Sequence, residues 1–186
     1  HTGELVSFFF ANNYDLPPRS KSLLMTGGPG LADFLDSLGQ LYGKWVEAQH
    51  HERTVKQLQP REAFTVGPVT VKTRPACRSE ASIASRIEDR NKSAVVTGDT
   101  GPCEAVEELA QGADLLVAEC SLPEGYGMGK HLTARQAGEM AQRTGVKQLV
   151  LTHFYPQSEI DRPAEQAAES FSGKITLAVD GMGVEV

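Results

Sequence analysis

Asp99 and His153 are the two side chains from which chemistry can be argued. Asp99 stands in Thr97-Gly98-Asp99-Thr100-Gly101-Pro102, directly after the apolar run Ala94-Val95-Val96. That pattern predicts a strand ending in a glycine-flanked turn. An aspartate at a strand-to-helix turn either caps the helix or binds a ligand. His153 ends a second run of the same design, Gln148-Leu149-Val150-Leu151-Thr152. Two strands that deliver metal-competent groups at their carboxyl ends point to one shared site. A buried imidazole at such a place needs partners for its ring nitrogens. His131 lies in Gly129-Lys130-His131-Leu132-Thr133, just before a helix start. There it is either a surface group or a third member of the site. His50 and His51 follow the polar stretch Glu47-Ala48-Gln49 and read as solvated.

Carboxylate, imidazole and water suit a zinc-like ion with one coordination position left open. Such an ion activates water near neutral pH and polarises a phosphoryl or carbonyl oxygen. Two other chemistries are set aside. A lone Asp-Thr-Gly would serve an aspartic protease only in an obligate dimer, because that chemistry needs two such loops. The turn Thr26-Gly27-Gly28-Pro29-Gly30 lacks the Gly-Lys-Ser/Thr that a phosphate-cradling loop requires.

The elements that must position these residues follow from periodicity and punctuation. Thr2 is expected to cap a helix reaching about Asn13, with Leu5, Val6, Phe8 and Phe9 on its apolar side. Residues 22–25 read as a strand, and the helical recurrence from Leu31 through Phe34, Leu35, Leu38 and Leu41 to Trp45 predicts an amphipathic helix. Val66, Val69 and Val71 suggest a hairpin around Gly67-Pro68, residues 81–87 a strand, and Arg90-Asn91 a tight turn into the strand that leads to Asp99. Pro102 is expected to open a helix that Gly112 ends. Strands are expected at 114–120 and 147–152, separated by a helix at 133–144 with a Thr133/Gln136 capping box and Gly145 at its end. A last helix starts at Asp161 and Pro163 and runs to Phe171, followed by strands at 174–178 and 182–186. Alternating strands and helices after a β-rich first half suggest layered α/β or α+β packing.

At 186 residues the chain reads as one medium domain with room for a substantial core. The net charge of −6 argues against broad nucleic-acid affinity, which needs a basic face, but leaves room for a local basic groove. Cys77, Cys103 and Cys120 are odd in number and widely spaced, so no disulfide framework and no paired-cysteine zinc motif is expected. No apolar run approaches the ~20 residues of a membrane span. The first residues lack the plan of a signal peptide, so the expected location is cytoplasmic, without membrane association.

Four stretches taken in order carry a resemblance: His1-Thr2-Gly3-Glu4-Leu5, Thr97-Gly98-Asp99-Thr100-Gly101, Gly129-Lys130-His131-Leu132-Thr133, and Leu151-Thr152-His153-Phe154-Tyr155-Pro156. Together they resemble the metallo-β-lactamase superfamily, and within it the ribonuclease Z-like hydrolases. The resemblance implies an α/β (α+β) chain with the αβ/βα four-layer sandwich fold and a metal site at the sheet edges. It implies that residues 1–186 form a single such domain, equivalent to the carboxyl-terminal two thirds of a family member and lacking the opening strands. His1 matches the last histidine of the family's His-x-His-x-Asp-His signature, Asp99 the bridging aspartate, and His153 the final histidine ligand. His131 matches a histidine that assists the leaving group. The implied metal ligands are therefore His1, Asp99 and His153, with Asp99 and His131 as the catalytic pair. The implied ions are one or two zincs, with manganese or iron(II) as alternatives.

Two departures shape the functional expectation. Where the family carries a further histidine ligand, Cys77-Arg78-Ser79-Glu80 places Arg78, which stays protonated and cannot ligate a metal. Arg78 is instead a candidate for binding substrate phosphate. The long arm that grips transfer RNA in true ribonuclease Z enzymes is replaced by the short turn at residues 87–92, which argues against a transfer-RNA substrate. The expected function is metal-dependent hydrolysis of a phosphodiester or other small-molecule ester, with a homodimer allowed. The alternative is a non-catalytic, phosphate-binding member with an incomplete metal site.

Overall fold

The computed structural model describes residues 2–126 and 129–186, with Glu159 and Ile160 described by backbone alone. His1, named above as a ligand, lies outside the described residues. The chain forms two compact units, His1–Leu58 and Gln59–Val186.

The first unit holds α1 (Leu5–Tyr14), β1 (Leu23–Gly27), α2 (Leu31–Tyr42) with a 3₁₀ turn after it (Gly43–Trp45), and β2 (Arg53–Gln57). β1 and β2 pair in parallel, from Leu23 opposite Arg53 to Gly27 opposite Gln57. Phe9, Leu35 and Val46 form the buried centre of this unit. Glu4, not Thr2, stands at the N-cap of α1, and it makes no side-chain capping bond. Phe9 is buried whereas Phe8 is largely exposed, because α1 is apolar nearly all round and its pattern does not mark an inner face. β2 was not expected from the sequence. Its pairing partner lies on the far side of α2, so the signal is one of topology rather than of local pattern.

The second unit is built on one seven-stranded sheet in the order β3-β4-β5-β6-β7-β8-β9. Its strands are β3 (Ala63–Val66), β4 (Val69–Pro75), β5 (Ile83–Asp89), β6 (Lys92–Val96), β7 (Leu115–Glu119), β8 (Gln148–Thr152) and β9 (Lys174–Leu177). Strands β3 to β6 pair antiparallel through the expected hairpins, and β6 to β9 pair in parallel. The parallel connections are helical: α3 (Glu104–Ala110) after β6, α4 (Ala134–Thr144) after β7, and α5 (Pro156–Ile160) with α6 (Pro163–Ala168) after β8. The core joins Val95, Leu116, Ala118, Leu149 and Leu151 of the central strands to Val106 and Leu109 of α3 and to Ala137, Met140 and Ala141 of α4. β7 is an almost uninterrupted apolar run, as a central parallel strand covered on its faces must be. Gly138 of α4 lies against the Ala167 backbone of α6, where a side chain would not fit.

Four local expectations change. α3 begins at Glu104 with the extended residue Cys103 at its N-cap, so Pro102 precedes the helix and does not open it. The expected 161–171 helix is present only as the shorter α6, and a further helix that was not expected, α5, precedes it, with Arg162 between the two in the left-handed region. Residues 182–186 form no strand. Cys77 and Cys103 are joined in a disulfide, their Cα atoms 5.6 Å apart. Sequence spacing does not reveal the pair because β4, β5 and β6 reverse direction in turn, which brings the ends of β4 and β6 to the same edge of the sheet. Cys120 remains a buried thiol whose pKa is pushed up to about 12 by burial and by the neighbouring Glu119.

Candidate metal centre

Because β6, β7 and β8 are adjacent and parallel, their carboxyl ends stand side by side. The ladder continues a step past each strand, with the Thr97 N–H donating to Val117 O (3.1 Å) and the Cys120 N–H to Thr152 O (2.9 Å). These ends carry Asp99, Glu119 with Ser121, and His153, and the segment leading into α4 adds His131. Asp99, His131 and His153 each offer one ligand atom, and the three atoms lie within 4.8 Å of one another. A cavity of about 120 Å³ opens beside them, lined by Val96, Thr97, Gly98, Asp99, Val117, Glu119, Thr152 and His153.

The local backbone explains how the groups are held. His153 adopts φ 63°, a left-handed conformation uncommon for any residue but glycine. Such backbone strain persists only where surrounding structure fixes it, and it gathers at functional positions. Gly101, in the Asp99 turn, packs directly on the Gly129 carbonyl two residues before His131, and a Cβ there would collide with that backbone. The Asp99 turn and the His131 segment are thereby kept in contact. The capping box expected at Thr133 is present with both of its bonds, and it fixes the start of α4 two residues after His131.

Glu119 is the functional side chain that the sequence reading missed. It is 2% exposed and accepts from four donors. Its Oε1 takes the Thr100 N–H (2.8 Å) and the His131 Nδ1–H (2.8 Å). Its Oε2 takes the Ser121 N–H (3.2 Å) and the Ser121 hydroxyl. With its one proton directed to Glu119, Ser121 Oγ accepts from His153 Nδ1 at 2.5 Å. This network assigns the Nδ1–H tautomer to both histidines and makes Nε2 the lone-pair nitrogen of each ring. The signal was present in the sequence: Asp-Leu-Leu-Val-Ala-Glu-Cys puts an acid at the end of a strand otherwise made for burial. The ring centroids of His131 and His153 lie 5.8 Å apart, and Tyr155 stands edge-on to His153 at 5.6 Å.

Arg78 reaches the same place. The exposed segment after β4 sets its Nε 3.9 Å from Asp99 Oδ2, while Asp99 Oδ1 lies 3.7 Å from His153 Nδ1. Asp99 is thus flanked by a permanent cation on one side and an imidazole on the other.

The donor set fits a divalent cation of the zinc type, since the Asp99 carboxylate and the His153 imidazole match its preferred ligands, and the His131 imidazole stands within reach of the same point.

A family model described as the beta-lactamase superfamily domain matches residues 31–154. The ribonuclease Z of Thermobifida fusca is 48% identical over 98 residues, which cover 47% of this chain and 30% of that protein. The ribonuclease Z of Mycobacterium bovis (strain BCG / Pasteur) is 28% identical over 99% of this chain and 74% of its own length. The chain thus spans about a third of the first of these curated relatives and about three quarters of the second. Among solved structures, the metallo-beta-lactamase fold protein YhfI from Bacillus subtilis superposes with a TM-score of 0.80 at 23% identity, covering 98% of this chain and 71% of that one. Human tRNase Z, short form, gives 0.64 at 22% identity, covering 86% and 64%. The large mixed sheet described above matches these folds.

Proposed function

Since the chain belongs to the beta-lactamase superfamily, we propose that it is a metal-dependent hydrolase of the ribonuclease Z type that acts on phosphodiesters. The observation that carries the reading is the convergence of Asp99, His131 and His153 on one point, braced by Glu119 and Ser121. In this reading residues 1–186 act as one catalytic domain in the cytoplasm, and zinc is the ion.

Asp99 and His153 would hold the cation, with His1 kept as a further ligand on the family resemblance alone. When bound, the ion supplies Lewis acidity toward a phosphoryl oxygen and toward water. His131, with its Nδ1–H held by Glu119, presents Nε2 to take up a proton and pass it to the leaving oxygen, and Glu119 stabilises the ring while it carries both protons. Glu119 acts through His131 and is a positioning residue. Ser121 performs the same service for His153 by fixing its tautomer. Arg78 binds a non-bridging phosphate oxygen beside Asp99.

The names of the relatives favour an RNA ester as substrate, against the expectation drawn from the short turn at residues 87–92 and the acidic balance. A second reading has its own support. The Arg78 guanidinium occupies space beside Asp99 where a second cation would be repelled, which favours a site that binds phosphate with little or no cleavage.

Measuring bound zinc together with turnover of bis-p-nitrophenyl phosphate and of a precursor transfer RNA separates the two readings. Asp99→Asn and His153→Ala are expected to lose zinc, and Arg78→His to gain it. Unchanged zinc in all three variants overturns the ligand assignment. Bound zinc with no turnover of either substrate supports the phosphate-binding reading.

A further inference from the structure

We propose that the Cys77–Cys103 pair is a redox-modified tether that sets the occupancy of the metal centre by holding Arg78 against Asp99. The inference rests on the site proposed above and concerns its regulation.

The bond joins the two segments that carry this charge pair. Cys77 immediately precedes Arg78, and Cys103 follows Asp99 by four residues. Around the bond, the Cys77 N–H donates to Thr100 Oγ1 (2.9 Å) and the Gly101 N–H to Cys77 O (3.2 Å). The Thr100 N–H in turn donates to Glu119. One covalent link and two hydrogen bonds therefore fix the Arg78 segment onto the Asp99 turn. The rest of the segment turns on itself, with the Ser82 N–H donating to Ser79 O (3.0 Å) and the Ser79 and Ser82 hydroxyls paired at 2.8 Å, and residues 77–80 are all exposed. Cys77 is exposed and open to thiol exchange, whereas Cys103 and the third cysteine, Cys120, are buried.

The chemistry balances with a thiol as co-reactant. Two molecules of a low-molecular-mass thiol break the Sγ–Sγ bond, deliver two electrons and two protons to the cysteines, and leave as their own disulfide. A disulfide oxidant reverses the step. Cytoplasmic disulfides are characteristically transient or redox-sensing, so the reduced form is the resting one in the proposed compartment.

The two states differ electrostatically. When the bond is closed, the guanidinium competes with any cation for Asp99 and is itself fixed for an anion. When it opens, only the two hydrogen bonds at Cys77 hold the segment to the turn, so the Arg78 side chain is held less firmly against Asp99 and competes less with a cation. Oxidation is therefore expected to weaken metal binding and strengthen anion binding, and reduction to do the opposite.

The test uses the whole chain in both redox states, with excess reductant removed under argon. Alkylation under denaturing conditions is expected to give one adduct, at Cys120, for the oxidised chain and three after reduction. Calorimetry with Mn²⁺, chosen because it avoids thiolates, is expected to show about fivefold tighter binding after reduction, with inorganic phosphate weakening by a similar factor. Cys77→Ser/Cys103→Ser is expected to behave as the reduced chain in both titrations. Arg78→Ala is expected to bind Mn²⁺ as the reduced chain does and to lose the redox response, which a merely structural disulfide would retain. Three adducts after treatment with a disulfide oxidant, equal affinities in the two states, or a redox response that survives in Arg78→Ala each overturn the proposal. Should the double serine variant fail to fold, the titrations of the unaltered chain decide. A chain that binds Mn²⁺ in neither state sinks the metal-site reading, while the phosphate titration still judges the tether.

Discussion

The strand β7 carries a buried acid at each end, and the two are managed in opposite ways. Asp114, just before the strand, accepts the Ser93 N–H (2.8 Å) and the Ser93 hydroxyl (3.1 Å) on one oxygen and the Lys147 ammonium (2.6 Å) on the other. The Lys147 contact, then the bonds from Ser93, hold the Asp114 carboxyl at about 2, well below its ordinary range. Glu119, at the other end, is satisfied by two backbone N–H groups, a hydroxyl and the imidazole of His131. The first acid is paired with a permanent cation that meets it from the solvent side. The second is matched to the imidazole of His131, which stands at the candidate metal centre itself. A buried carboxylate alone is therefore not a functional sign. The nature of its partners is.

The largest way to break this comparison is Glu119→Ala. It leaves two backbone donors, the Ser121 hydroxyl and the His131 ring without their acceptor in a fully buried place. A loss of about 3–5 kcal/mol in unfolding free energy is expected by denaturant titration, together with loss of metal affinity. A cost below about 1 kcal/mol would mean that the network does not brace the site. Gly101→Ala comes next. The added methyl collides with the Gly129 backbone and must separate the Asp99 turn from the His131 segment. About 1–3 kcal/mol of stability should be lost, and Mn²⁺ binding should weaken by more than the stability change alone explains. Unchanged Mn²⁺ binding would show that the two segments need not touch for the site to form.

Much of this was legible in the sequence where local pattern and final environment agree. The runs ending at Asp99 and His153 are apolar because β6 and β8 are central strands, so their ends could be found and paired by type. The Thr133/Gln136 box was readable because both of its bonds are local. What stayed hidden depends on contacts far apart in sequence. The Cys77–Cys103 bond needs two chain reversals, β2 needs a partner across a helix, and the buried face of α1 has no polar stripe to mark it. The place of Arg78 beside Asp99 was indicated through a family resemblance and not by any pattern within the chain. Glu119 lay between these cases. Its charge at the end of a buried strand was visible, but its partners were not.

A smaller effect is expected from Asp114→Asn, and it has a definite pH signature. A carboxyl whose folded pKa lies below its ordinary value contributes stability that is fully present above about pH 4 and fades as the pH falls toward about 2. The shift corresponds to about 2 kcal/mol before screening, and the solvated Lys147 partner reduces this to about 1–2 kcal/mol. The variant should therefore be less stable than the parent at pH 7 and should converge with it near pH 2. Thermal unfolding between those limits checks this, and a difference that stays constant across the range would assign the cost to packing and not to ionisation.

The smallest expected effect tests the comparison from its weaker side. Lys147→Ala removes one partner of the buried Asp114, as Glu119→Ala removes the acceptor of the other network. The outcomes should nevertheless differ severalfold. The Lys147 side chain is 71% exposed, and its ammonium meets Asp114 from the solvent side. When it is lost, water can take its place and the two Ser93 donors remain. A solvent-screened pair of this kind contributes about 0.2–1 kcal/mol, and less as salt is added. Urea titrations at low salt and at about 1 M salt should show a small loss that shrinks in the second condition, where the screening length is about 3 Å. A salt-independent cost as large as that of Glu119→Ala would erase the distinction between the two ends of β7. Asp114 would then be a buried charge dependent on one partner, and the amino-terminal edge of the sheet would need the same scrutiny as the metal centre.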